Sequence, residues 1–202
     1  MKPETLIVFV KAPQAGRVKT RLARGIGAGR AAMIYRHLTR VAFAAAEKGR
    51  WRTILAVEPA RAIREWLGFW PRRFETTAQG RGDLGARMKA AIESVQRGPV
   101  AIIGTDSPGL RARHIRAAFR ALGRHDAVFG PARDGGYWLL GLARRRRAPR
   151  LFEDVRWSGP HALADTMKSL PEDFSVALLE ELADVDEARD LAVMGPLSRA
   201  RP

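Results

Sequence analysis

The sequence predicts an α/β protein of three layers with a mixed, mostly parallel sheet, and three observations carry that reading. Short apolar runs rich in β-branched residues alternate with amphipathic helical segments along most of the 202 residues, the pattern of strands covered by helices on both faces. Several runs empty into Gly, Pro and Asp, so polar loops collect at the carboxyl ends of strands, where open α/β sheets bind ligands. Tyr137-Trp138-Leu139-Leu140-Gly141-Leu142 follows the preceding strand after a loop too short for a parallel crossover. That segment therefore runs antiparallel and makes the sheet mixed.

Leu6-Ile7-Val8-Phe9-Val10 is the first buried strand, and a loop from Lys11 to Leu22 follows it. Ala31, Ala32, Ile34, Tyr35, Leu38, Val41 and Ala42 recur at helical spacing and predict a long helix from about Gly29 to Lys48. Thr53 to Val57 reads as the second strand, Ala60 to Leu67 as a short helix and Phe74 to Thr77 as a weak edge strand. Leu84, Met88, Ala91, Ile92 and Val95 mark a helix leading into Val100-Ala101-Ile102-Ile103, an interior strand bounded by Pro99 and Gly104. A further helix through Ile115, Ala118, Phe119 and Leu122 leads to the strand Ala127 to Gly130. Beyond the antiparallel strand, helical segments at Pro160 to Leu170 and Asp186 to Met194 flank a last strand, Ser175 to Leu179. Without a repeat or linker, residues 1–202 read as one domain.

Composition narrows the function. Hydrophobic residues make up 46% of the chain, enough for a full core. Neither a run of 18 apolar residues nor a charged-then-apolar leader is present, which gives the expectation of a soluble, cytoplasmic protein and no membrane partner. The lack of cysteine excludes disulfides, thiolate nucleophiles and Cys-ligated zinc, so any metal is held by oxygen or imidazole. A net charge of +15 ordinarily points to nucleic acid. Here only six of the 36 basic residues are Lys, an arginine bias that a GC-rich genome produces without any partner, so nucleic acid is the least favoured ligand. Arg144-Arg145-Arg146-Arg147 is the one dense block, read as a solvated loop in preference to a phosphate patch.

Four segments carry candidate chemistry. Gly104-Thr105-Asp106-Ser107-Pro108 places Asp106 just past an interior strand, where it holds a metal or substrate or else caps the next helix, near Arg111. The first loop holds Lys11, Arg17, Lys19 and Arg21 around Gly16; cations neutralise polyphosphate charge and glycine lets the backbone approach, although GxxxxGK[ST] spacing is absent. Gln79-Gly80-Arg81-Gly82-Asp83 enters a helix that contains Arg87; free N–H groups there favour anions, and Asp83 contacts the ligand or serves as N-cap. Asp134-Gly135-Gly136-Tyr137 is a turn or a functional segment, and Asp184-Val185-Asp186-Glu187 caps a helix or binds metal. No GxSxG or HExxH motif exists, and His37, His114, His125 and His161 lack ligand spacing to one another.

These motifs resemble a bacterial family of glycosyltransferase-A-fold proteins, the nucleotide-diphospho-sugar transferase superfamily, with arsenosugar-type glycosyltransferases among its members. The family pattern K-A-P-x-x-G-R-V-K-T-R-L, Q-G-x-G-D-L-G-x-R-M, G-T-D-x-P-G-L and D-G-G-Y-x-L-x-G-L stands here from Lys11, Gln79, Gly104 and Asp134. The first loop is similar to that of 2-phospholactate guanylyltransferase and occupies the place of the triphosphate loop of molybdenum-cofactor nucleotidyltransferases. D-V-D-T-P-E-D-L appears as Asp184-Val185-Asp186-Glu187-Ala188-Arg189-Asp190-Leu191, and W-S-T-P as Trp157-Ser158-Gly159-Pro160. The resemblance implies a Rossmann-like fold and a metal-dependent transferase, with Mg²⁺ or Mn²⁺ on Asp106 and Asp186. Lys11, Gly16, Arg17, Lys19, Arg21, Asp83 and Arg87 would serve the nucleotide, and Asp134, Gly135, Gly136, Tyr137 and Trp157 a small-molecule acceptor. Asp106, Lys19 and Asp134 are the catalytic candidates. Nucleotidyl transfer from a nucleoside triphosphate is slightly favoured over glycosyl transfer from a nucleotide sugar, and a non-catalytic nucleotide-binding module is the third reading.

Overall fold

The computed structural model describes residues 3–96 and 98–194. Seven strands form one sheet: β1 (Thr5–Lys11), β2 (Arg52–Glu58), β3 (Glu75–Ala78), β4 (Val100–Ile103), β5 (Ala127–Pro131), β6 (Tyr137–Leu142) and β7 (Val176–Leu178). Their order is β3-β2-β1-β4-β6-β5-β7. All pairs are parallel except those of β6, which is antiparallel to both β4 and β5. The mixed, mostly parallel sheet predicted from the sequence is thus present, with β3 at its edge.

The alternation within β1 shows how the layers arise. Leu6, Val8 and Val10 enter one core, and Ile7 enters the other. The first core holds Ala42 and Phe43 of α2 (Ala28–Ala46) and Ile115 and Phe119 of α5 (Ala112–Leu122). The second holds Met88 and Ile92 of α4 (Leu84–Ser94), together with Leu151, Phe152 and Leu170. A strand buried on both faces has no solvated side, so its sequence is a continuous apolar run. The remaining helices are α1 (Thr20–Ile26), α3 (Ala62–Glu65) and α6 (Ala162–Lys168), and a 3-10 helix spans Ala188–Met194.

Two segments differ from the sequence reading. The stretch taken as one loop to Leu22 becomes helical at Thr20, where Leu22 is buried against Ile34, Leu38 and Val185. The last segment is a 3-10 helix, Ala188–Met194, and at its start Asp190 accepts hydrogen bonds from the backbone N–H groups of Asp186 and Glu187 at 3.0 and 2.7 Å. Among the described residues no helix is long and apolar enough to cross a membrane.

The topology fixes the position of the site. From β1 the chain proceeds outward through β2 to β3, then returns to β4 on the other side of β1. Loops after β1 and β4 therefore diverge and leave a crevice at the carboxyl ends of those strands.

Candidate functional site

A cleft of about 560 Å³ opens at this crevice. It gathers Lys11, Arg17, Lys19 and Arg21 from the first loop, Arg87 from α4, Asp106 beyond β4, Asp134 and Tyr137 from the β5–β6 turn, and Asp186. Gly16, Asp83, Gly135, Gly136 and Trp157 do not line it. The carboxyl end of the sheet thus brings together side chains separated by most of the chain.

Asp106 does not cap α5. The N-cap of that helix is Arg111, whose N–H donates to His114 Nδ1 at 3.1 Å. Asp106 Oδ1 instead meets the Lys19 ammonium at 2.5 Å, and Asp186 Oδ1 meets the same ammonium at 2.6 Å. Only 5% of the Lys19 side chain is exposed. Burial alone would pull its pKa down; Asp106 and Asp186 more than reverse this, and the net shift is upward. Asp106 and Asp186, the pair expected to share a metal ion, are therefore brought together around a protein cation.

Asp186 reaches the site through the alternation of an extended segment. Val185 is fully buried with Leu22 and Leu38, and its N–H donates to the Asp106 carbonyl at 3.1 Å. Asp184 and Asp186, on either side of that anchor, join Asp134 in a group whose ligand oxygens all lie within 4.8 Å of one another. Burial first, then the charges of Asp134 and Asp186, push the Asp184 carboxyl up to about 6. In the sequence, Asp184-Val185-Asp186-Glu187 reads as a cap or a metal-binding segment, with Asp186 alone assigned to the ion beside Asp106. The signal for Asp184 was present, because Asp-x-Asp around an apolar residue after a last strand puts two carboxylates on one side.

The carboxylate donors suit a hard divalent cation such as Mg²⁺ or Mn²⁺. Their mutual repulsion, visible in the raised Asp184, is relieved by such an ion. Asp134, Asp184 and Asp186 are thus a donor set that fits such an ion, whereas Asp106, expected as a ligand, lies outside that group and pairs with Lys19.

The nucleotide side is built from buried polar contacts. Gln79 is buried, and its Nε2 donates to the carbonyls of Val10 and Ala56, closing the ends of β1 and β2. Its Oε1 accepts from Arg87 Nη1 at 2.9 Å, and Arg87 also holds Glu58 at 2.8 Å. Arg87 is thus fixed at the rim, with Lys11 Nζ 3.9 Å from the same Glu58. Tyr35 is buried beneath the loop; its hydroxyl accepts from Lys11 N at 2.8 Å and lies 3.3 Å from Thr105 Oγ1. Arg17 and Arg21 are exposed, and their guanidinium groups have no hydrogen-bond or ion-pair partner among the described residues. Asp83 caps α4 by accepting from Ala86 N at 2.7 Å. Gly16 has φ +79°, a left-handed turn that glycine adopts without strain.

On the other side, Asp134 Oδ1 accepts from Gly136 N at 2.8 Å, so this carboxylate also forms the turn. Gly135 has φ +84°, and a Cβ there would lie 2.3 Å from the Pro160 carbonyl oxygen. Any side chain would push the Trp157–Pro160 segment away. Trp157 packs on Phe152 at 5.9 Å between ring centroids and supports the second core. The Tyr137 hydroxyl lies 3.4 Å from Thr166 Oγ1, and burial raises its pKa.

Comparison with known proteins gives the family and the fold. The family model described as "Uncharacterized protein conserved in bacteria (DUF2064)" matches residues 41–159. No curated protein matches the chain. Among solved structures, a provisionally named nucleotide-diphospho-sugar transferase from Desulfovibrio desulfuricans G20 has a TM-score of 0.87 and 28% identity, covering 99% of this chain and 89% of that one. Rv0371C of Mycobacterium tuberculosis H37Rv, solved as a complex with manganese, has a TM-score of 0.58 and 14% identity, with 96% and 98% covered. The inositol-1-phosphate CTP transferase of T. maritima has a TM-score of 0.59 and 13% identity, with 94% and 91% covered. The last two likenesses are of fold alone.

Proposed function

The chain belongs to the DUF2064 family of bacterial proteins and has the nucleotide-diphospho-sugar transferase fold, and from that premise we propose a metal-dependent transferase that uses an activated nucleotide donor, in the first instance a nucleoside triphosphate. The observation that carries this reading is the division of one cleft into a cationic wall, with the guanidinium groups of Arg17 and Arg21 unpartnered among the described residues, and an acidic wall of Asp106, Asp134 and Asp186.

In nucleotidyl transfer an acceptor oxygen attacks the α-phosphorus, a new P–O bond forms, and the bond to the β-phosphate bridge breaks to release pyrophosphate. Arg17 and Arg21 would bind the departing β- and γ-phosphates and stabilise the charge that accumulates on them. Arg87, fixed by Glu58 and Gln79, would orient the donor at the rim. Gly16 lets backbone N–H groups approach the phosphates. Asp134 and Tyr137 would face and orient the acceptor. Asp134, Asp184 and Asp186 would hold Mg²⁺ or Mn²⁺, which when bound supplies Lewis-acid neutralisation of donor phosphate oxygens. The CTP named for the T. maritima neighbour and the manganese of the mycobacterial one support the donor and the ion.

A second reading, glycosyl transfer from a nucleotide sugar, is favoured by the name of the Desulfovibrio neighbour. In that reaction the acceptor attacks the anomeric carbon and a nucleoside diphosphate leaves. Incubation with each nucleoside triphosphate, and separately with nucleotide sugars, in the presence of Mn²⁺ and candidate acceptors distinguishes the two. Pyrophosphate release supports the first and nucleoside diphosphate release the second. Failure of both donor classes to bind would overturn the proposal.

A further inference from the structure

Lys19 behaves unlike the other cations of its loop. Arg17 and Arg21 extend into the open cleft, whereas the Lys19 side chain is 5% exposed and its ammonium is clasped by Asp106 at 2.5 Å and Asp186 at 2.6 Å. The backbone pays for the placement in strain: Lys19 sits at φ 48° and ψ 49°, in the left-handed region that a side chain disfavours, at the residue preceding α1. Asp186 also belongs to the acidic triad with Asp134 and Asp184. A divalent cation drawn to Asp186 therefore meets a fixed positive charge already on that carboxylate.

We infer that Lys19 is an internal cation, which occupies Asp106 and Asp186 in the nucleotide-free protein and keeps a divalent ion from binding them tightly until it is withdrawn. Two carboxylates facing each other across a half-buried gap need a counter-charge, and Lys19 supplies it in the resting state. The inference rests on the nucleotide reading at one point: phosphates arriving beside Arg17 and Arg21 are what draws the ammonium away. Nucleotide and metal affinities are then coupled through one side chain, each ligand strengthening the other by the same factor. Premature metal binding is opposed, and the acidic wall becomes available when the donor is present.

The test is Mn²⁺ binding to the nucleotide-free full chain, read by calorimetry and by the Mn²⁺-induced rise in Tm, for wild type, Lys19→Met, Lys19→Gln and Lys19→Arg. The two neutral variants are expected to bind Mn²⁺ at least about tenfold more tightly than wild type, since a unit charge near the ion has been removed. Lys19→Arg keeps the charge and should stay within about twofold of wild type. Equal or weaker Mn²⁺ binding by both neutral variants overturns the inference, as does an equal gain in Lys19→Arg. If the neutral variants are unfolded alone but fold on adding Mn²⁺, the ion has replaced the ammonium and the inference holds; if neither folds even with Mn²⁺, Lys19 is purely structural and it falls. Calorimetry of wild type with nucleoside triphosphates and with nucleotide sugars, run in parallel, separates the two readings: a gain in the neutral variants with neither donor class bound removes the donor reading and leaves the internal cation. Nucleotide binding without that gain removes only the internal cation.

Discussion

The loop from Lys11 to Arg21 and the run Arg144 to Arg147 carry four cations each, and the difference lies in what the chain has already placed beside them. Arg144 donates to the carbonyls of Val95 and Gln96. Arg145 donates to those of His125 and Leu122 at the end of α5, where carbonyls lack helical partners. Arg146 pairs with Asp126 and Asp173 and lies 4.6 Å over the Phe174 ring. Arg145, Arg146 and Arg147 stay exposed, as a solvated loop requires, while the side chains of Arg144, Arg145 and Arg146 also tie the run to neighbouring loops. In the first loop, the guanidinium groups of Arg17 and Arg21 face the cleft with no protein partner among the described residues. Charge density in a sequence does not separate these roles; the presence or absence of carbonyls and carboxylates around each guanidinium does.

The strongest way to break this comparison is to remove the two unpartnered arginines. The Arg17→Ala, Arg21→Ala double variant should lose about a hundredfold in nucleoside triphosphate affinity by calorimetry, at roughly 1.5 kcal/mol or more for each charged contact. Its urea midpoint should hardly move, because neither side chain has a protein partner to lose. Arg145→Ala should do the reverse, lowering stability by about 1–2 kcal/mol in urea denaturation with nucleotide affinity unchanged. Interchanged outcomes would reassign the two segments.

A smaller effect tests these ties through pH. The Arg146 hydrogen bond, opposed by burial and aided by Ser175, lowers the Asp126 carboxyl from 3.8 to about 2. The folded value lies below the unfolded one, so this stabilisation is complete above pH 3.8 and is lost as pH falls toward 2. Melting between pH 5 and 2 should show a shallower acid decline for Asp126→Asn than for wild type. The smallest effect concerns the net charge: DNA retardation should fade steeply by about 0.15 M salt, as expected of purely non-specific binding. A complex that persists there would reopen nucleic acid as a partner.

The sheet was legible because burial on both faces writes itself into the chain. Val100 to Ile103 are all buried, and the run is apolar without a break. Helix α1 was not legible: it is seven residues long, Leu22 is its one buried residue, and its basic side chains read as loop. In the site, Asp106 was placed by the strand that delivers it and the basic loop by its Gly and cations. The ammonium of Lys19 between Asp106 and Asp186 was not, because that contact spans 167 positions in the chain. The segment from Asp184 to Glu187 was visible as cap or metal-binding, but which of its carboxylates share one group was not, since only the burial of Val185 shows which way its neighbours point.

The central claim is that the acidic and basic walls of one cleft bind a nucleotide together with a divalent ion. Calorimetric titration with nucleoside triphosphates in the presence of Mn²⁺, run on wild type and on Asp186→Asn, tests it most directly. Saturable one-site binding of at least one nucleotide is expected, weakened at least about tenfold by the substitution, in line with loss of a charged ligand. No binding of any nucleoside triphosphate, or equal affinity in Asp186→Asn, would contradict it.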